Sequence, residues 1–208
     1  GGLIEQYSHD ATGNRLQLGN AGLVQNYSYP ADSHRLTAVD GITRSQDAAG
    51  NTSRIGSTRH FEHDARSRLV AIRDGSNTVL RQYAHNALGQ RIAEGDSSSQ
   101  MQHLYDEGGQ WLGQYSASGV ADQQVIWLGR LPVGMVSGGQ LYYIQPDHLG
   151  SPRLVVDPQR DVAIWRWDLR GEAFGSDAPA EDPDQDGVAL RFDLRFPELY
   201  RDLVGQGA

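Results

Sequence analysis

One pattern recurs along the chain and leaves little freedom in what it can fold into. Tyr7-Ser8-His9-Asp10-Ala11-Thr12-Gly13-Asn14-Arg15-Leu16 is its template: an aromatic, any residue, His or an aromatic, Asp, two residues, Gly or a small polar residue, then Arg-Leu. Phe61-Glu62-His63-Asp64-Ala65-Arg66-Ser67-Arg68-Leu69 is nearly complete, and Tyr83-Ala84-His85-Asn86-Ala87-Leu88-Gly89-Gln90-Arg91-Ile92 replaces Asp by Asn. Tyr27-Ser28-Tyr29-Pro30 leads to His34-Arg35-Leu36, Asp47-Ala48-Ala49-Gly50-Asn51 has lost its aromatic, and His103 to Leu112 is a later copy. The period is irregular but near 20, with 20 residues from Arg15 to Arg35 and 23 from Arg68 to Arg91.

The unit has a physical logic. Side chains alternate along a strand, so the aromatic and the residue two later share a face. Asp then opens a turn by accepting from backbone N–H groups ahead of it, Gly or Asn supplies positive φ, and Arg-Leu begins the return strand. Each unit therefore predicts one β-hairpin. A lone hairpin is marginal in water, so consecutive hairpins should pair edge to edge and bury their aromatic face collectively. The expected fold is all-β, built of consecutive antiparallel hairpins, with little or no helix.

Composition agrees. With 25 glycines, 38% hydrophobic residues and a mean hydropathy of −0.55, the chain suits many short strands joined by turns better than thick helical layers. No stretch approaches the roughly 20 apolar residues of a membrane span, and the opening Gly-Gly-Leu-Ile-Glu-Gln lacks a basic-then-apolar leader pattern, so neither is expected. The net charge is −8 and the 18 basic residues are all Arg, singly spread. Nucleic-acid binding needs a basic face, so that class is set aside. With no Cys, disulfides, thiolate zinc sites and cysteine nucleophiles are excluded together.

A second constraint is the stretch Tyr142–Gly175. Leu154–Val156 and Val162–Trp167 flank Asp157-Pro158-Gln159-Arg160-Asp161, which reads as a hairpin with a longer-than-minimal turn, preceded by turn residues from Pro146 to Arg153. Asp147-His148-Leu149-Gly150-Ser151-Pro152-Arg153, this hairpin, and then Trp167-Asp168 with Gly171, Glu172, Phe174 and Gly175 resemble the core of RHS (YD-repeat) proteins. The likeness is specific at 147–175 and extends more weakly through the repeats. It implies a long β-sheet spiralling into a hollow shell. Residues 1–141 would be degenerate repeat hairpins and residues 142–208 a core-associated segment, the two forming one continuous piece of a larger shell. Leu194-Arg195-Phe196-Pro197 resembles the family's L-R-F-P-G-Q-Y strand, although Glu198-Leu199 stand where Gly-Gln is usual. The self-cleavage sequence that often follows in the family is not found before Ala208, so no autoproteolytic residue is assigned.

By the same resemblance the protein would be a non-catalytic container. It would hold a C-terminal toxin domain until delivery from a bacterial cell, in interbacterial competition or as an insecticidal-type toxin, and would be cytoplasmic before export. The partners implied are the rest of its own shell, the toxin domain, and secretion spike proteins or a chaperone. A second reading is a cell-surface YD-repeat module for adhesion or carbohydrate binding. A glycan reader should show an exposed aromatic platform; core packing would instead bury Trp111, Trp127, Trp165 and Trp167.

Three local patterns invite chemistry. Asp182-Pro183-Asp184-Gln185-Asp186-Gly187 matches the opening of a calcium loop, with Asp193 at its twelfth position. Against this, the flanking Ala189-Leu190-Arg191-Phe192 alternates like a strand and the usual closing Glu is absent, so a solvated acidic turn is the competing reading. His60-Phe61-Glu62-His63 has an H-x-x-H spacing, but in the repeat register it lies on a strand, where positions three apart face opposite ways. Asp147, His148 and Ser151 suggest a hydrolase triad without the nucleophile-elbow sequence, and turn chemistry explains all three. No cofactor is expected beyond the possible calcium ion.

Overall fold

The computed structural model describes residues 5–20, 22–168 and 178–195; Gly171, Phe174, Gly175, Phe196 and Pro197 of the motifs above lie outside them. The fold is built from its turns. At Asp10, Asp47, Asp64, Asn86, Asp106 and Asp147 the backbone N–H donates to the carbonyl four residues on, at 2.9–3.0 Å, and the carbonyl accepts from the N–H three residues on. At all of these except Asp106, Oδ1 also accepts from the N–H groups two and four residues on, at 2.8–3.0 Å. One side-chain oxygen thus satisfies donors that the sharp reversal leaves without a cross-strand partner. The third residue after the Asx takes positive φ, 86–92° where it is Gly13, Gly50, Gly89, Gly109 or Gly150, and 60° at Ser67. Register shifts fall just before the turn, as at Ser8/His9, Glu62/His63 and Gln145/Pro146, the signature of a bulge that lets a three-residue loop match strand twist.

The chain divides into two compact units, with the boundary after Tyr83. The described strands of the first are β1 (Glu5–His9), β2 (Arg15–Asn20), β3 (Leu23–Ser28), β4 (Ala38–Val39), β5 (Ile42–Gln46), β6 (Thr52–Ile55), β7 (Arg59–His63), β8 (Leu69–Asp74) and the start of β9 (Val79–His85), each antiparallel to the next. Its core is thin: Val39, Ala71, Ile72 and Tyr83 are its buried apolar residues among those described. Stacking compensates in part. The Arg15 guanidinium lies 4.3 Å from the Tyr27 ring centroid and 5.7 Å from that of Tyr7, and it donates to Tyr27 Oη at 2.9 Å. The Arg of this repeat is therefore packed on its aromatics.

The second unit holds β10 (Arg91–Gly95), β11 (Gln100–Tyr105), β12 (Trp111–Ser116), β13 (Ala121–Leu128), β14 (Leu131–Ser137), β15 (Gln140–Pro146), β16 (Pro152–Asp157) and β17 (Val162–Arg166), again antiparallel in chain order. Gly138 and Gly139, both at positive φ, close β14 and β15 in a two-residue turn. The described residues contain no helix, so the all-β expectation holds. Ile144, Val155 and Trp165 lie directly opposite one another across β15, β16 and β17, and all three are buried. With Trp111, Val125, Met135, Ile164 and Trp167 they form one apolar face. Residues 190–195 cover it. Phe192 meets Trp165 edge to face at 5.5 Å, and Phe192, Asp193, Leu194 and Arg195 are buried in succession. The alternation at 189–192 predicts a strand, but no strand forms there, because the segment is packed as a strap rather than half-exposed in a ladder.

Candidate functional site

The D-H-L-G block is a fastened turn. Asp147 Oδ1 receives the N–H groups of Leu149 and Ser151, while Oδ2 receives Arg153 Nε and Nη2 at 3.0 and 2.8 Å. Arg153 stacks in turn on Trp167, 5.0 Å from its ring centroid. Gly150 and Pro152 are buried, whereas His148 and Leu149 are exposed. Ser151 is buried at 1% exposure and its Oγ has no hydrogen-bond partner. A triad needs a carboxylate orienting the imidazole and an accessible hydroxyl. Here the carboxylate is engaged with Arg153 and backbone, and the hydroxyl is covered. Asp168 makes a 3.4 Å pair with Arg166, both half-exposed, which contributes little.

These contacts move the Asp147 titration. Burial pushes its carboxyl up, but the Arg153 guanidinium and the two backbone donors outweigh that and hold it below the usual carboxylate range. Asp64 in the equivalent turn is lowered to about 2, chiefly by Arg68. A depressed carboxyl stabilises the fold above its unfolded pKa, about 3.9, and that contribution is lost as pH falls through the folded value. Asp147→Asn keeps an oxygen for the backbone, as Asn86 does natively, but loses the charge-assisted pair. At pH 7 it should cost about 1–2 kcal/mol in denaturant unfolding, and the gap to wild type should close as pH falls through the depressed Asp147 pKa, below the usual carboxylate range.

The strap rests on a buried polar row that the sequence did not reveal. His103, Gln114 and Gln123 are direct cross-strand neighbours on β11, β12 and β13, and each is buried. Trp111 Nε1 donates to His103 Nδ1 at 3.2 Å, and burial holds the His103 pKa below its ordinary value. Gln123 donates to the Arg191 carbonyl. Arg191 bonds Asp193 Oδ1 at 2.9 Å and approaches buried Glu94 at 3.8 Å. Arg195 lies over Trp165 and Trp167, at 5.3 and 5.6 Å, and donates to the carbonyls of Phe192 and Leu194.

The acidic loop assembles without Asp193. One ligand oxygen from each of Asp182, Asp184 and Asp186 falls within 4.8 Å of the others, while Asp193 is held by Arg191 in the strap. His60 and His63 sit on β7 and join no such cluster among the described residues. Trp111, Trp165 and Trp167 are core, and half-buried Trp127 donates to the Trp111 carbonyl at 2.9 Å. Trp111, Trp127, Gln110, Arg130 and Leu194 line a 430 Å³ cavity.

Consecutive antiparallel hairpins closed by Asx-Gly turns define an all-β hairpin-repeat protein, in line with the YD-repeat resemblance of the sequence. No protein-family model matches the chain, and no curated protein does. Solved structures do. A chain of the Photorhabdus luminescens Tc holotoxin pore, carrying a TccC3 mutation, superposes with a TM-score of 0.59 at 17% identity over 82% of this chain. A chain in the crystal structure of TcdB2-TccC3 without its hypervariable C-terminal region gives 0.56 at 17% identity over 79%. The chain spans about a tenth of those proteins, 10% and 9%. The fold is that of the matched stretch of those chains.

Proposed function

We propose that this chain is a stretch of non-catalytic shell wall in an RHS-type toxin, one that encloses a C-terminal toxin domain until delivery to a target cell. One observation supports this reading most: the uncovered face of the second unit's sheet carries half-exposed apolar side chains among its polar ones. The face beneath the strap is the core. On the opposite face Leu104, Ile126 and Tyr143 are 50%, 44% and 52% exposed, and Ile126 and Tyr143 flank Gly134 in one cross-strand row. Apolar side chains neighbouring one another in this way suit contact with another polypeptide. The likeness to Tc toxin chains favours the same reading. An adhesion module that stacks sugars on aromatics is less well supported, since Trp111, Trp165 and Trp167 are in the core.

Partners under this proposal are the neighbouring turns of shell, the enclosed domain, and a secretion spike or chaperone for export from the producing cell. The test is limited proteolysis of the full-length protein. The C-terminal domain should resist protease within the intact shell and be digested once the wall is opened by Trp165→Ala. Digestion at the rate of the free domain in the wild-type protein, together with binding on a glycan array, would favour the adhesion module instead.

A further inference from the structure

We infer that His103 is an acid-sensitive latch: a proton on its Nδ1 breaks the hydrogen bond to Trp111 and loosens residues 190–195 from the sheet. The latch is independent of the shell reading. His103 is 4% exposed on β11, between β10 and β12 in the ladder. Its Nδ1 receives Trp111 Nε1–H at 3.2 Å, the two rings tilted by 42° with centroids 6.1 Å apart. An indole nitrogen can only donate, so Nδ1 is the accepting nitrogen and the imidazole is neutral with its proton on Nε2. An imidazolium carries a proton on both nitrogens. Protonation therefore sets N–H against N–H in a buried place, and the hydrogen bond is lost.

The charged groups around the ring are already matched. From β10, Glu94 Oε2 receives Arg91 Nη1 at 2.9 Å. From the strap, Asp193 Oδ1 receives Arg191 Nε at 2.9 Å, and Arg191 Nη2 stands 3.8 Å from Glu94 Oε1. Tyr105, two residues on along β11, donates to the Arg91 carbonyl at 2.9 Å. β12 contributes the uncharged Trp111 and Gln114, and Gln114 donates to the exposed Asp122 of β13. Two carboxylates and two guanidiniums leave no surplus negative charge beside the ring to hold an imidazolium. Burial is the largest influence and keeps the His103 pKa below its ordinary 6.5, with Glu94 and Asp193 pulling it up and Arg91 and Arg191 pushing it down.

The strap is the element that yields. β10, β11 and β12 are joined by backbone ladders, whereas 190–195 forms no strand and meets the polar row through side chains, Gln123 to the Arg191 carbonyl and Arg191 to Glu94. Lifting it lets water reach the imidazolium with those ladders intact. With the strap open, His103 titrates nearer its ordinary 6.5; with it closed, lower. The open form therefore binds the extra proton between the two values. Closure keeps its full stability above 6.5 and weakens as pH falls below it, by at most about tenfold per pH unit for one proton.

Amide hydrogen exchange on the full chain, wild type against His103→Gln, tests this at pH 7.5 and pH 5.5. Glutamine keeps an oxygen for Trp111 and does not titrate. Dividing the wild-type rate by the variant's at each pH cancels the intrinsic pH dependence of exchange. For the amides of residues 190–195 that ratio should rise about five- to tenfold from pH 7.5 to pH 5.5, while His148→Gln, at an exposed position in the D-H-L-G turn, should track wild type. Nitrogen-15 spectra of the imidazole read the wild-type ring directly, and so decide the matter even if His103→Gln fails to fold: Nδ1 should stay unprotonated through pH 6.5. A ratio that does not change with pH in a folded His103→Gln overturns the inference, as does a His103 ring with its neutral proton on Nδ1 or half-charged at pH 6.5 or above.

Discussion

Trp165→Ala should destabilise the second unit by about 3–5 kcal/mol, lowering its thermal midpoint by on the order of 10–20 °C. Trp165 is fully buried and stands directly opposite Val155 on β16. It meets Phe192 edge to face and supports the Arg195 guanidinium on its ring. Removing the indole opens a cavity between sheet and strap and takes away the surface on which both strap residues rest, so collapse into the void is resisted on two sides. Thermal unfolding followed by tryptophan fluorescence or calorimetry reads the effect. A loss under 1 kcal/mol would mean that the strap does not lie on the sheet. Phe192→Ala should reproduce much of the loss, and the double variant should cost less than the sum, since the two side chains share one contact.

Gly113→Ala should be the most damaging single methyl. A Cβ there would lie 2.1 Å from the Gln123 carbonyl oxygen and 2.9 Å from Gln124 Cα, both backbone atoms of the neighbouring strand. Gly113 also has φ of 147°, a region that residues with a Cβ avoid. The β12 and β13 backbones must separate where Gly113 pairs Gln124, and the expected cost is about 3 kcal/mol or more. Gly119→Ala is the matched control. It too has positive φ, but nothing lies within 4 Å of its added methyl, so about 1 kcal/mol of backbone strain is all it should show. Denaturant midpoints of the two variants measure the difference, and equal midpoints would contradict the close approach of β12 and β13.

The hairpins were legible in the sequence because their turns are local. An Asx side chain bonding its own next residues, followed by Gly or, at Ser67, a small polar residue, is written within five positions, and it identifies the turns at Asp10, Asp47, Asp64, Asn86, Asp106 and Asp147. Two turns of the same kind escaped that pattern. In the turn at Asp74 the glycine is displaced to Gly75 and Asn77 carries the positive φ of 68°. In the other, Ser116 supplies a hydroxyl where the rest have an Asx oxygen, accepting from Val120 N–H at 3.1 Å. What could not be read is what arrives from far along the chain. His103, Gln114 and Gln123 look like solvent-facing strand residues until a strap from far along the chain covers them, and a two-residue periodicity cannot say which face will be covered. Asp193 lies apart from the other three aspartates for the same reason: loop spacing placed it with them, but it is buried in the strap and paired with Arg191. Asp182, Asp184 and Asp186 do come together, because they are local.

The account rests on successive hairpins lying side by side in chain order, with residues 190–195 across their buried face. Cross-strand nuclear Overhauser effects on the labelled chain test this directly. Hα–Hα or amide contacts should connect Val125 with Met135, Ile144 with Val155 and Val155 with Trp165, and the Phe192 ring should contact the Trp165 indole. Contacts linking strands that are not neighbours in sequence, or helical i to i+3 contacts through 100–166, would contradict it.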